Sequence, residues 1–169
     1  MSGFHLLQVK GVQRLTDDAV AISFSMPNEL TQPFSFKAGQ YLTLSHTIAG
    51  ENVSRSYSLC SAPHEGVLRV GIKAIPNGLF SNYANTQIKV GDTLEVGAPE
   101  GRFVYEPNGK NNLLLLAAGS GITPILSIAK TALKETDGKV VLVYGNRSED
   151  DKMFADELQT MQTAYGQRF

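Results

Sequence analysis

The sequence predicts a β-rich unit, an antiparallel barrel or sandwich, followed by a short parallel α/β unit. Three observations carry this. The first hundred or so residues hold many short apolar and β-branched runs separated by turn residues, with no long helix between them. The pattern then changes at Pro107-Asn108-Gly109-Lys110-Asn111-Asn112. After that, two apolar runs alternate with two amphipathic helical patterns.

In order, "FHLLQVKGVQRL" (4–15) and "AVAISFSM" (19–26) read as strands broken at Thr16-Asp17-Asp18. "QYLTLSH" (40–46), "SRSYSLCS" (54–61), "VLRVGIKAI" (67–75), "DTLEVG" (92–97) and "RFVYE" (102–106) follow. Ala49-Gly50, His64-Glu65-Gly66, Gly91-Asp92 and Pro99-Glu100-Gly101 punctuate them. A short helix is expected at "LFSNYANTQ" (79–87), after the turn Pro76-Asn77-Gly78, where a helix start leaves backbone N–H groups free. The second unit opens with "LLLLAA" (113–118), a glycine turn (119–121) and a helix with Ile122, Ile125, Leu126, Ala129 and Leu133 on one face. "KVVLVYG" (139–145) precedes a helix with Phe154, Leu158, Met161 and Tyr165 on one face. Ser148 with Asp151 reads as its capping box, and Glu149-Asp150-Asp151 as charges at its N-terminus. The boundary gives units 1–108 and 109–169. Two strands and two helices make half of an ordinary doubly wound domain, so a fragment, or a chain lacking its last subdomain, is expected.

Composition narrows the function classes. The 169 residues are 42% hydrophobic, as a folded chain requires. Fifteen basic against sixteen acidic residues, with no basic run, argue against nucleic acid or an anionic membrane as main partner. The single cysteine, Cys60, permits neither an intrachain disulfide nor four cysteine ligands for a cluster, and reads as a small buried apolar residue. His5, His46 and His64 lack metal-ligand spacing, and no metal site is expected. The N-terminus lacks signal-peptide character and the longest apolar run is too short to span a bilayer. A reduced cytoplasmic protein is expected, which removes the compartment that glycosylation at Asn52-Val53-Ser54 or Asn146-Arg147-Ser148 would need.

Three stretches carry chemistry. "AAGSGITP" (117–124) is a strand-to-helix turn in which Gly119 and Gly121 allow a ligand to approach the backbone. Thr123 is suited to N-cap the helix and Pro124 to its first position, with the helix N-terminus offered to a phosphate. Pro124 stands where a dinucleotide fingerprint wants a third glycine, so close helix–strand packing is an equal explanation. The strand ending "YGNRS" (144–148) has no acid for ribose hydroxyls. Arg147 and Ser148 suit a 2′-phosphate instead, the alternative being a solvated arginine beside a helix cap. In "RSYS" (55–58) an extended strand sends Arg55 and Tyr57 one way, Ser56 and Ser58 the other. A pyrophosphate and a flat heterocycle fit that pair, and so does a half-exposed barrel strand.

"RSYSLCS" (55–61), "GLFS" (78–81), "PEGRF" (99–103), "GSGITP" (119–124) and "YGNR" (144–147) stand in the order found in the ferredoxin–NADP reductase superfamily. "VKGVQRLTDDAVAISFSMP" (9–27) and "FKAGQYLTL" (36–44) resemble its opening. The likeness covers nearly the whole chain. It is strongest to reductase components serving multisubunit oxygenases of phenylacetate catabolism. What the resemblance implies is a six-stranded antiparallel Greek-key FAD-binding barrel followed by an incomplete NADP-binding α/β domain, and a hydride passed from NADPH to FAD. Electrons would then go to an iron–sulfur or oxygenase partner. It implies further that Arg55 binds the FAD pyrophosphate, Tyr57 packs on the isoalloxazine, and Ser58 hydrogen-bonds near the flavin N5 as the catalytic residue, with Ser56 beside them. Val70, Ile72 and Lys73 would lie by the ring end and ribityl chain. Gly78, Leu79, Phe80 and Ser81 would serve the pyrophosphate. Gly119, Ser120, Gly121 and Thr123 would serve the nicotinamide nucleotide with Arg147 and Ser148, Thr123 standing between the two cofactors.

Ala38 departs from the proline usual before Gly39-Gln40, and neither a Cys-Gly-Pro segment nor a ferredoxin-like domain is present. A stand-alone flavin or ferric reductase and a non-enzymatic flavin-binding module remain as alternatives. Dimerisation through an open sheet edge is a further expectation.

Overall fold

The computed structural model describes residues 3–108 and 112–169. The first unit contains β1 (Phe4–Thr16), β2 (Ala19–Phe24), β3 (Tyr41–Ile48), β4 (Glu51–Ser58), β5 (Leu68–Lys73), α1 (Leu79–Thr86) and β6 (Thr93–Gly97). The second contains β7 (Leu113–Ala118), α2 (Ile122–Glu135), β8 (Val140–Gly145) and α3 (Ala155–Tyr165). Gly109, Lys110 and Asn111, within the expected boundary, lie outside the described residues.

The six antiparallel strands run β4-β3-β6-β1-β2-β5, and a bridge between Leu59 and Val70 joins the two ends into a Greek-key barrel. Alternation drives it: Leu7 and Val9, Leu42 and Leu44, Val70 and Ile72, and Leu94 and Val96 all point into one core with almost no exposure. The β3–β4 hairpin turns on Ala49 and Gly50, both at positive φ, the geometry a two-residue hairpin loop demands.

β7 and β8 pair in parallel, Leu113 with Val140 through Ala118 with Gly145. One face packs on α2 and α3. Leu114 and Leu116, with their register partners Val141 and Val143, stand exposed on the other. Small residues on the outside of the barrel, Ala19, Ala21, Ala38 and Cys60, join Ile122, Ile125, Leu126 and Ala129 of α2 in a second core. Burial pushes the Cys60 thiol up to about 12, although Arg69 and Lys130 pull the other way, so it stays an uncharged apolar residue. Among the described residues, no helix is long and apolar enough to cross a membrane.

Three local expectations are corrected. "RFVYE" is not a strand. The chain bridges Tyr41 only at Glu100, turns at Gly101 with φ of 121°, and leaves Phe103 exposed. Thr123 is not an N-cap: a 3-10 turn at Gly119–Gly121 leads directly into α2, and the Thr123 hydroxyl donates back to the Ser120 carbonyl at 3.1 Å. Pro124 therefore sits in the third helical position, where its missing N–H still costs nothing. The Ser148–Asp151 capping box does not form either. Asp151 accepts from Arg147 and Lys73, Phe154 takes a left-handed backbone, and α3 begins at Ala155 with Asp156 and Glu157 as its first-turn acids.

Candidate functional site

The ends of β4 and β5, the start of α1 and the turn before α2 surround a cleft of about 420 Å³, within the range of small-molecule sites. Arg55, Ser56, Tyr57 and Ser58 all line it, so both faces of this strand end border one cleft. Arg55 donates to the carbonyl of its neighbour Ser54 at 2.7 Å, and among the described residues no carboxylate pairs with it. A cation without a counterion in a concave site suits an anionic ligand. Tyr57 is half-buried and tilts 38° against Phe80 with ring centres 5.7 Å apart. Burial pushes its hydroxyl up to about 12 against the lowering influence of Arg55, leaving a neutral, flat surface. Ser56 meets Thr43 hydroxyl to hydroxyl at 3.1 Å, while Ser58 is half-buried at the strand end.

Below Arg55, Gly78 precedes α1. A Cβ there would lie 2.3 Å from Ser81 Oγ and 2.6 Å from Ile75 Cγ1, so a larger residue would have to push both side chains aside at this entry to the helix. The first-turn N–H groups of Leu79, Phe80 and Ser81 point out of the helix start for lack of an intrahelical partner. Phe80 is buried and Leu79 exposed, both at the cleft wall. An unpaired guanidinium, a neutral aromatic face and a glycine-made helix entry together fit a flavin carrying a pyrophosphate.

On β5 the alternation separates the expected residues. Val70 and Ile72 face the barrel core, so only their backbone is available to a ligand. Gly71 and Lys73 face the cleft instead. A glycine inside a strand signals close approach by another group, and "VGIK" carried that signal. A Cβ on Gly71 would lie 2.6 Å from the Thr123 methyl. Ser120, Gly121, Thr123 and Pro124 thus form the opposite wall.

Gly119 lies in a second cavity, about 450 Å³, at the carboxyl ends of β7 and β8. This is the crevice where open α/β sheets take ligands. Lys73, Ala118, Gly145, Asn146, Arg147 and Asp151 complete it, and Lys73 borders both cavities. The Tyr144 hydroxyl donates to the Gly119 carbonyl at 2.9 Å and so ties the glycine turn to β8. Arg147 is bound twice by Asp151, at 2.9 and 3.2 Å, and Ser148 donates to the same carboxylate. Lys73 pairs with Asp18 at 3.3 Å and Asp151 at 3.2 Å. Hydrogen bonds from Arg147, Lys73 and Ser148 hold the Asp151 carboxyl down to about 2. Sequence reasoning missed Asp18 and Lys73 as members of this group, because no local pattern joins residues so far apart, and it read Asp151 as a helix-cap acid although the i,i+4 spacing to Arg147 was open to view.

Known proteins match this chain throughout. The family model described as an oxidoreductase FAD-binding domain matches residues 6–105, and that of an oxidoreductase NAD-binding domain matches residues 115–169. A component of the 1,2-phenylacetyl-CoA epoxidase of Escherichia coli is 42% identical over 99% of this chain and 48% of its own length. The ferredoxin reductase component of 3-ketosteroid-9-alpha-monooxygenase from Rhodococcus rhodochrous is 41% identical over 96% of this chain and 47% of its own. The chain thus spans about half the length of these curated relatives. Among solved structures, the flavohem-like FAD/NAD-binding domain of nitric oxide dioxygenase from Vibrio cholerae superposes with a TM-score of 0.85 at 26% identity. That match covers 97% of this chain and 71% of the other.

Proposed function

We propose that this chain, which belongs to the ferredoxin–NADP reductase superfamily of FAD- and NAD-binding oxidoreductases, takes a hydride from NADPH onto FAD and passes electrons to an iron–sulfur or oxygenase component. The observation that carries this reading is a pair of cavities with Lys73 in the wall of each. The cleft holding unpaired Arg55 and Tyr57 faces the glycine turn of α2, and Lys73 leads from it to the crevice at the strand ends.

FAD held in the cleft would supply the redox chemistry, hydride acceptance and single-electron release. The protein supplies position and charge. Arg55 and the first-turn N–H groups of Leu79–Ser81 would hold the pyrophosphate, the Gly78 N–H being bonded already to the Ile75 carbonyl at 3.0 Å, while Tyr57 would cover one ring face. Ser58 offers its hydroxyl to the reacting nitrogen. Gly119–Gly121 let the nucleotide reach the backbone, and Thr123 separates the two rings. Arg147, an exposed guanidinium held by Asp151, and Ser148 would bind the 2′-phosphate of NADPH. The oxygenase partner is one of the class named for the Escherichia coli relative, a phenylacetyl-CoA epoxidase.

The test is visible absorption of the FAD-supplemented, desalted chain during anaerobic NADPH addition. A retained band that bleaches supports both sites. A band that stays yellow removes the hydride-transfer half of the proposal, and a band lost on desalting removes the flavin assignments.

A further inference from the structure

Helix α2 is buried almost all round, yet one of its stripes is polar. Thr123, Ser127 and Lys130 follow at helical spacing on the side facing the barrel. Thr123 carries its methyl against Gly71. One turn on, Ser127 Oγ donates to the Ser61 carbonyl at 2.6 Å, both residues fully buried. A further turn on, Lys130 is only 8% exposed and pairs with Glu65 at 3.1 Å and with Glu157 of α3 at 2.5 Å. Glu157 also binds Arg69 of β5 at 2.8 Å. Arg69 in turn reaches Gln13 of β1 at 2.6 Å and lies over the Phe154 ring, 5.3 Å from its centre. One carboxylate therefore joins α2 and α3 to the barrel wall, and none of Glu65, Arg69, Lys130 or Glu157 borders the flavin cleft.

A buried ion cluster contributes little net stability compared with apolar packing of the same volume, because desolvation offsets the attraction. What it does provide is direction: each hydrogen bond is met at one placement of the helix only. The same helix ends in the wall that faces Ser58 and Tyr57 across the cleft, where a displacement of about 1 Å costs on the order of a hundredfold in rate. We propose that Lys130 is a positioning residue for hydride transfer, holding α2 on the barrel through Glu65 and Glu157 so that the Thr123 wall keeps its distance from the flavin side. This rests on the proposed function for its consequence in rate, but not for its geometry.

Two readouts separate those parts. Nitroxides at Thr47→Cys on the barrel and Lys134→Cys on α2, both exposed positions, report the spacing of the units, with Cys60 too buried to react. Lys130→Met broadens or displaces the distance distribution and slows NADPH bleaching by about tenfold or more, with FAD affinity unchanged. Lys130→Arg restores both. Ser127→Ala, which deletes one hydroxyl, gives a smaller change of the same kind and decides the matter if Lys130→Met does not fold. An unchanged distance distribution overturns the proposal. So does bleaching at the parent rate, or a rate loss that only follows loss of FAD. If the parent chain never bleaches, the functional reading fails and the distance measurement alone decides whether Lys130 positions the helix.

Discussion

Gly71→Ala puts the contact between the two units under direct test. The new methyl would stand 2.6 Å from Thr123 Cγ2, 3.0 Å from Phe154 Cζ and 3.2 Å from Met153 Cε. Ordinary contact begins near 3.4 Å, so the Thr123 wall must retreat by 3.4 − 2.6, about 0.8 Å. Thr123 cannot rotate aside without giving up its bond to the Ser120 carbonyl, and Phe154 is held beneath Arg69. Overpacking of this kind costs about 1–3 kcal/mol. Relief of glycine's backbone entropy in a strand returns about 0.5–1 kcal/mol. The net loss of about 0–2.5 kcal/mol lowers the melting temperature by up to about 10 °C for a chain of this length. Flavin reduction should fall further than stability, approaching a hundredfold, because the retreat is close to the displacement that matters for transfer. Calorimetry and stopped-flow absorbance measure the two. Thr123→Ser removes the clashing methyl and keeps the hydroxyl, so the double variant should recover most of both losses. If Gly71→Ala melts at or above the parent temperature and reduces at the parent rate, the close approach has no hold on the cleft.

Three other outcomes are expected. Ser58→Ala should keep FAD through desalting yet slow its reduction, and an unchanged stopped-flow rate would remove Ser58 from the transfer step. Arg147→Ala should raise KM for NADPH by about 10–100-fold, the worth of charged hydrogen bonds. KM for NADH should hardly move, and equal losses for both coenzymes would deny a 2′-phosphate site. Burial alone would raise the Glu157 carboxyl, but Lys130 and Arg69 outweigh it and hold it below the ordinary carboxylate range. That pairing therefore stabilises the fold above about pH 4.3, the unfolded value, and is lost as pH falls through the lower folded value. Melting temperature should drop less steeply below that pH in Glu157→Gln, as pH-dependent calorimetry would record.

What the sequence disclosed and what it withheld divide on a physical line. The barrel strands were legible because alternation is local: Leu42 and Leu44 announce a core face without knowledge of any partner. "RSYS" departs from that rule: alternation sends Arg55 and Tyr57 away from Ser56 and Ser58, yet at the strand end all four border one cleft. Helix starts failed where a local pattern was outbid by a distant group. Ser148 and Asp151 have capping-box spacing, but Arg147 and, from seventy-eight positions away, Lys73 hold the carboxylate, and α3 starts only at Ala155. Thr123 has the chemistry of a cap, but the turn that Tyr144 pins through the Gly119 carbonyl starts the helix earlier. The coupling of the units was hidden most completely, since Arg69 and Glu157 are eighty-eight positions apart. The apolar face read from Ile122, Ile125, Leu126, Ala129 and Leu133 accounts for one side of α2, leaving Thr123, Ser127 and Lys130 aligned on another. By pattern alone such a polar stripe is an ordinary solvent-facing side, and only the structure shows it buried against the barrel. The barrel docks on that stripe and on the apolar face as well, where Ala19, Ala21, Ala38 and Cys60 meet Ile122, Ile125, Leu126 and Ala129.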